Sequence, residues 1–147
     1  MRVLIVDDTD DVRSLLRVAL NVAGFETMEA NEGPAALKLL ASEPTPDVVL
    51  LDVQMPVMDG WQTLTQIRNS SSTATLPVIM CTVKSRPEDR VRGWEMGCDG
   101  YLSKPFDIGE LIELVRNVAE RPHDARAQTR EAELAMLRQS STNGRAH

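Results

Sequence analysis

Short apolar or β-favouring runs recur along the chain, and between them apolar residues are spaced three or four positions apart. The runs predict strands at residues 3–6, 25–29, 47–51, 77–82 and 100–103. The intervening spacing predicts five amphipathic helices at residues 11–23, 35–40, 61–67, 91–95 and 108–119. The fourth of these has the weakest apolar stripe. Asp10 is placed to cap the first helix and Gly24 to end it.

The first, third and fourth predicted strands are continuous apolar runs rather than alternating ones, which is typical of strands buried on both faces. Strands and helices alternate with short connections. This order predicts an α/β protein with a doubly wound, five-stranded parallel sheet, right-handed crossovers and helices on both faces. In such a sheet, ligands bind at the carboxyl ends of the strands, where the winding reverses.

The composition bounds the function only coarsely. The chain has 147 residues, enough for one domain of typical size. A formal net charge of −6 and an isoelectric point near 4.9 argue against nucleic acid or an anionic membrane as a direct partner. No run approaches the ~18 apolar residues of a membrane span, and no signal peptide is recognisable, so we expect a cytoplasmic protein. Cys81 and Cys98 are expected to be structural thiols.

The composition changes near the C-terminus, which predicts a domain over residues 1–121 and a tail over residues 122–147. Residues 125–139 favour a helix, although Leu134 and Leu137 are almost its only large apolar pair. Two interpretations stay open: a loosely attached helix with a disordered end, or a helix that mediates dimerisation or docking. The tail is too short for an output domain, so none is expected.

Carboxylates follow two of the buried strands. Asp7 and Asp8 come directly after the first strand, and Asp52 comes directly after the third. These ends share one edge of the sheet, so the three like charges should lie within a few ångströms and repel unless a cation compensates them. Carboxylate oxygens without histidine or cysteine nearby select Mg²⁺, or a similar ion such as Mn²⁺. The pattern predicts a metal site suited to phosphoryl transfer.

Two further strand ends bring complementary groups to the same edge. Thr82 places a hydroxyl at the end of the fourth strand, and Lys104 places an ammonium group after the fifth. If Asp52 accepted a phosphoryl group as an acyl phosphate, the metal ion, Thr82 and Lys104 would each meet a different phosphoryl oxygen.

Four ordered motifs, VDD at 6–8, LLDVQMPVMDG at 50–60, PVIMCT at 77–82 and YLSKPF at 101–106, closely resemble the receiver domain of two-component response regulators. The resemblance covers residues 2–120. It implies a flavodoxin-like sheet in the order 2-1-3-4-5 and a phosphoacceptor signalling switch rather than a turnover enzyme. The phosphoryl donor would be a sensor histidine kinase or a phosphotransfer protein. Phosphorylation would change the surface formed by the fourth helix, fifth strand and fifth helix, and so regulate an unknown downstream protein.

The resemblance also implies roles for the acidic residues. Asp52 corresponds to the phosphoacceptor. Asp8, Asp52 and the backbone carbonyl of Gln54 correspond to direct ligands of Mg²⁺, and Asp7 to a residue that holds the ion through water.

A second group of residues corresponds to the family's catalytic and switch positions. Thr82 resembles the switch hydroxyl that moves toward the phosphoryl group, and Tyr101 the aromatic residue that turns inward as Thr82 leaves its space. Lys104 resembles the family's phosphoryl-binding lysine. The peptide bond between Lys104 and Pro105 is expected to be cis, an isomer that a tertiary amide disfavours only mildly.

Four residues qualify the resemblance. Val83 stands where the family usually has a small residue, and Gln54 and Lys84 occupy variable positions that tune the lifetime of the phosphoryl group. Together they predict an acyl phosphate that lives longer than in the fast chemotaxis regulators. Leu114 stands where the winged-helix transcription factors carry a dimer-forming arginine, so we expect a monomer or a weak phosphorylation-dependent dimer.

Two other functions compete with the signalling switch. A phosphatase of the haloacid dehalogenase type also places an aspartate after an apolar strand, but it needs a second aspartate two residues later as general acid, where this chain has Gln54. A pseudo-receiver that acts only by protein contact is the other alternative. The intact set of acidic residues, with Thr82 and Lys104, argues against it.

Overall fold

The computed structural model describes the backbone of residues 1–145 and the side chains of residues 1–140. Five strands alternate with five helices, and a sixth helix follows. In chain order these are β1 (Arg2–Val6), α1 (Asp10–Val22), β2 (Glu26–Ala30), α2 (Gly33–Leu40), β3 (Val48–Leu51), α3 (Gly60–Asn69), β4 (Val78–Thr82), α4 (Pro87–Glu95), β5 (Gly100–Ser103), α5 (Ile108–Glu120) and α6 (His123–Arg145).

The strands form one parallel sheet in the order β2-β1-β3-β4-β5, which confirms the predicted fold class. Apolar side chains leave each strand alternately on the two faces. Leu4 and Val49 pack with α2, α3 and α4 on one face, whereas Ile5 and Leu50 pack with α1 and α5 on the other. Burial on both faces explains why the central strands are continuously apolar.

The predicted strands agree with the observed ones to within one residue at each end, but one predicted cap is wrong. The N-cap of α1 is Thr9 rather than Asp10, which is the first residue of the helix. An acidic residue in the first turn still interacts favourably with the helix dipole. Gly24 follows the end of α1 with a φ of +96°, a conformation that favours glycine, as the sequence predicts.

Helix α6 is longer and more firmly attached than a loosely held tail. It begins at His123, only two connecting residues beyond the end of α5, and it packs against α4. The side chain of Arg126 is buried, and Leu134 and Leu137 pack against the hydrophobic core on the α4 side of the sheet. The interpretation of a loosely attached helix is therefore wrong for the described part of α6. Residues 146–147 of the predicted disordered end lie outside the described residues.

Candidate functional site

The pairing of β1 with β3 brings the three predicted carboxylates together. Val6 is in register with Leu51, so the residues that follow each strand, Asp7 and Asp52, lie side by side. Asp7 and Asp52 are buried, whereas Asp8 is exposed. Carboxylate oxygens of Asp7, Asp8 and Asp52 lie within 4.8 Å of one another, so these residues could hold a metal ion.

Lys104 reaches this cluster from the end of β5. Its Nζ donates to Asp7 Oδ2 at 2.5 Å and to Asp52 Oδ2 at 3.0 Å. The peptide bond between Lys104 and Pro105 is cis, as predicted. Burial opposes the charge of the Lys104 ammonium group, but its hydrogen bonds and its attraction to Asp7 and Asp52 outweigh that cost and raise its pKa.

Burial is the main influence on the charge of Asp52. Burial raises the pKa of the Asp52 carboxyl, and the negative charge of Asp7 raises it further. The attraction of Lys104 and a hydrogen bond from the backbone N–H of Gln54, at 3.2 Å, act in the opposite direction and are outweighed. Three carboxylates against one ammonium group, with hard oxygen donors only, fit a divalent cation such as Mg²⁺.

A chain of hydrogen bonds connects Thr82 with Tyr101. The hydroxyl of the buried Thr82 accepts from the backbone N–H of Lys84 at 3.1 Å, and the hydroxyl of Tyr101 donates to the backbone carbonyl of the same Lys84. The Tyr101 ring is buried against α4, where a Cβ on Gly93 would lie 2.9 Å from a ring carbon. Burial raises the pKa of the Tyr101 hydroxyl, so it stays a hydrogen-bond donor at neutral pH.

The loop after Asp52 is anchored at both ends. The backbone N–H of Gly60, the first residue of α3, donates to the carbonyl of Val53 at 2.8 Å. A Cβ on Gly60 would lie only 2.2 Å from the backbone oxygen of Asp52, so this close approach requires glycine. The loop borders an open cavity of about 640 Å³, whose lining includes Asp8, Gln54, Lys84 and Arg92.

Comparison with known proteins decides the family. A family model of the response regulator receiver domain matches residues 3–116. The chain belongs to this family. The receiver domain is the phosphoacceptor module of two-component systems. The predicted fold and the predicted resemblance to the receiver domain are both confirmed.

Individual relatives agree with this assignment. The chain is 41% identical over 132 residues to the transcriptional regulatory protein CpxR of Klebsiella pneumoniae, a match that covers 89% of this chain and 55% of CpxR. It is 34% identical over 120 residues to the DNA-binding dual master transcriptional regulator RpaA of Synechocystis, which covers 82% of this chain and 49% of RpaA. The receiver domain therefore spans about half the length of these curated relatives.

Solved structures give the same result. The chemotaxis protein CheY4 of Vibrio cholerae is similar, with a TM-score of 0.75 and 33% identity over 80% of this chain and 97% of that one. A response regulator from Chloroflexus aurantiacus has a TM-score of 0.77 and 36% identity, over 82% of this chain and 98% of that one.

The relatives overturn one prediction. We expected from the acidic composition that nucleic acid is excluded as a partner, yet RpaA is a DNA-binding regulator. The exclusion was wrong because net charge describes a whole chain, whereas the matched receiver domain is only about half of RpaA. Among residues 1–145, no helix combines the length and hydropathy that crossing a bilayer requires.

Sequence reasoning missed the backbone of Lys84, which connects Thr82 with Tyr101, because a main-chain contact leaves no mark in the sequence. It also missed a cluster around Asp99, to which Arg68, Arg126 and Arg130 all donate. The sequence does contain a signal for the shared helix face of Arg126 and Arg130. Arg126 and Arg130 are four residues apart and continue the face of Leu134, which marks one side of a helix.

Proposed function

We propose that this receiver domain is a Mg²⁺-dependent phosphoacceptor whose Asp52 takes a phosphoryl group from the phosphohistidine of a sensor histidine kinase or a phosphotransfer protein. The observation that carries the proposal is the pairing of Asp52 with Lys104, beside Asp7 and Asp8, at one edge of the sheet. We further propose that the exchange takes place in the cytoplasm.

The transfer uses Asp52 as nucleophile. One carboxylate oxygen attacks phosphorus, the bond from phosphorus to the histidine nitrogen breaks, and the electron pair leaves with the imidazole. Hydrolysis of the resulting acyl phosphate by water regenerates the carboxylate. We propose that both steps are catalysed by the receiver domain itself, since Lys104 already lies 3.0 Å from Asp52 and can donate to a phosphoryl oxygen in place of the carboxylate.

The acidic residues of the site would bind the metal ion. Asp8, Asp52 and the backbone carbonyl of Gln54 would hold it directly, and Asp7 through water. Bound there, Mg²⁺ would neutralise the carboxylates and the charge on the phosphoryl oxygens. The mutual proximity of the three carboxylates supports this ligand set.

We further propose that Thr82 and Tyr101 carry the signal outward. Thr82 would donate to a phosphoryl oxygen, and the Tyr101 ring would follow through the backbone of Lys84. The surface formed by α4, β5 and α5 would then change and regulate a downstream protein. We assign this switch to residues 1–121, with residues 122–147 as an accessory segment.

Treatment with acetyl phosphate and Mg²⁺, followed by intact-mass measurement, tests the proposal. Wild type should gain the mass of one phosphoryl group, and Asp52→Asn should gain none. Asp47→Asn is the matched control, because Asp47 is an exposed aspartate at the opposite end of β3 and should leave the modification intact.

Two outcomes would contradict the proposal. Continuous phosphate release without a stable adduct would indicate a phosphatase of the haloacid dehalogenase type. No reaction in wild type, with Mg²⁺ present and the fold intact by circular dichroism, would indicate a pseudo-receiver.

A further inference from the structure

Helix α6 covers the α4 side of the molecule with one continuous face. Arg126, Arg130, Leu134 and Leu137 follow one another at intervals of four, four and three residues, so their side chains project from the same side of the helix. Leu134 and Leu137 pack against the core cluster that contains Trp94. The covered surface is therefore formed by α4 and the start of β5.

The first half of α6 is fixed by a buried ion pair. Asp99 lies directly before β5 with its side chain fully buried, and one of its oxygens accepts from Arg126 at 2.9 Å and from Arg130 at 3.0 Å. Arg126 also donates to the carbonyl of Thr75, and Arg130 to the carbonyl of Cys98. Because these guanidinium groups have given up water for specific partners, the position of α6 is defined by chemistry and not only by apolar contact.

A cleft that is partly open to solvent lies between α6 and the Tyr101 ring. It measures about 290 Å³, with Tyr101, Arg90 and Trp94 among the residues on one side and Thr129 and Glu133 of α6 on the other. A cavity of about 150 Å³ is enough to hold a benzene molecule. The space next to Tyr101 is therefore large enough to receive its ring, which in the structure packs against Gly93.

We propose that the surface formed by α4 and β5 is a docking surface whose occupant is α6 itself, and that the position of the Tyr101 ring sets how tightly α6 is held. The coupling rests on the proposed function of Asp52, because Tyr101 is connected with Thr82 through the backbone of Lys84. Helix α6 is then the segment of this chain that reports the state of the phosphorylation site.

The geometry gives the sign of the coupling. With the ring against Gly93, the cleft lies between the ring and α6, so α6 lacks the packing contacts that a ring rotated into the cleft would supply. Phosphorylation draws Thr82 toward Asp52 and favours the ring in this observed position, so it loosens α6. By linkage, releasing α6 favours the phosphorylated form to the same degree.

Hydrogen exchange of the full chain, read by mass spectrometry, tests this inference. The probe is beryllofluoride with Mg²⁺, a stable analogue of the phosphoryl group. Peptides from residues 50–60 should exchange more slowly with the probe, and peptides from residues 123–139 about fivefold faster, at the lower end of common coupling strengths.

Two variants separate the parts of the inference. In the double variant Arg126→Gln and Arg130→Gln, α6 should exchange rapidly with or without the probe, and the probe should bind about fivefold more tightly. Arg17→Gln, at an exposed arginine of α1, is the matched control and should behave as wild type. In Gly93→Ala the new methyl group takes the place of the ring, so α6 should stay protected when the probe binds.

The outcomes are distinguishable. If residues 50–60 respond to the probe and α6 does not, or α6 becomes more protected, the inference is overturned while the proposed function stands. If residues 50–60 do not respond, the proposed function fails, and the coupling that depends on it fails with it.

Discussion

Two ion clusters in this molecule have opposite imbalances of charge. The acidic cluster at the site comprises Asp7, Asp8, Asp52 and Lys104. The arginine cluster beneath α6 comprises Asp99, Arg68, Arg126 and Arg130. The first has three carboxylates for one cation, and the second has three cations for one carboxylate. Each is therefore two formal charges from neutrality.

The protein deals with the two imbalances differently. In the arginine cluster the surplus N–H groups donate to backbone carbonyls, such as Gly97 and Leu76 for Arg68 and Thr75 for Arg126. In the acidic cluster Asp8 is exposed beside an open cavity, and burial raises the pKa of Asp52. The arginine cluster is satisfied by groups of the chain itself, whereas the acidic cluster keeps a surplus of negative charge that a metal ion could compensate.

The largest effect on stability is expected from replacing Asp99. Asp99→Asn removes the only carboxylate in the arginine cluster and leaves buried guanidinium groups without compensation, so the free energy of unfolding should fall by about 3–5 kcal/mol. Urea denaturation at pH 7 measures this. Asp124→Asn, at an exposed position in the first turn of α6, is the control and should change stability little. Equal stability of the two variants would show that the arginine cluster does not hold α6.

The next effect is that of Mg²⁺ on the acidic cluster. An ion that binds only the folded state should raise the free energy of unfolding by about 2.7 kcal/mol at one hundred times its Kd. Asp8→Asn should lose most of this gain, whereas Asp124→Asn should keep it. Urea midpoints with Mg²⁺ and with EDTA give the comparison, and a gain of the same size in Asp8→Asn would place the ion elsewhere.

A smaller effect, of opposite sign to that of Asp99→Asn, is expected at Asp52. Because burial raises its pKa above 3.8, the ionised carboxylate costs folding free energy once the pH exceeds the raised pKa. Without metal, Asp52→Asn should therefore stabilise the protein by about 1 kcal/mol at pH 7, the usual trade of stability for function. Wild type should lose stability as the pH rises from 3.8 through the raised pKa, and the variant should lack this component. A destabilised variant at pH 7 would contradict the prediction.

The smallest effect on stability is expected at an exposed ion pair between α4 and α6. Arg138 of α6 and Glu95 of α4 form an ion pair with an N–O distance of 2.8 Å, but their side chains are 60% and 50% exposed. Solvent screens such a pair, so Glu95→Gln should cost less than about 0.5 kcal/mol. A loss comparable to that of Asp99→Asn would mean that exposure does not separate these ion pairs.

The acidic cluster was predictable from sequence because strand ends are visible as the limits of apolar runs. Parallel strands then bring Asp7, Asp8 and Asp52 to one edge whatever the detailed packing. Lys104 followed from the same rule. The predicted roles of these residues still await the experiments above.

The arginine cluster was not predictable in the same way. Asp99 precedes β5, at the opposite edge from the site, and its partners come from α3 and from α6, far apart in sequence. No local pattern joins an aspartate to an arginine 27 residues later. The spacing of Arg126 and Arg130 marks a helix face, but arginine on a helix more often faces solvent, so the direction of burial had to come from the structure.

The anchored loop after Asp52 bears on how ligands are selected. Residues 53–59 leave the strand and return to within hydrogen-bond distance of Val53, where Gly60 allows α3 to begin against the main chain. Such a closed ring has already lost most of its conformational entropy when the protein folds. The backbone carbonyl of Gln54 is then presented at little further entropic cost, so selectivity between ions should depend on how well each tolerates a fixed spacing of oxygens.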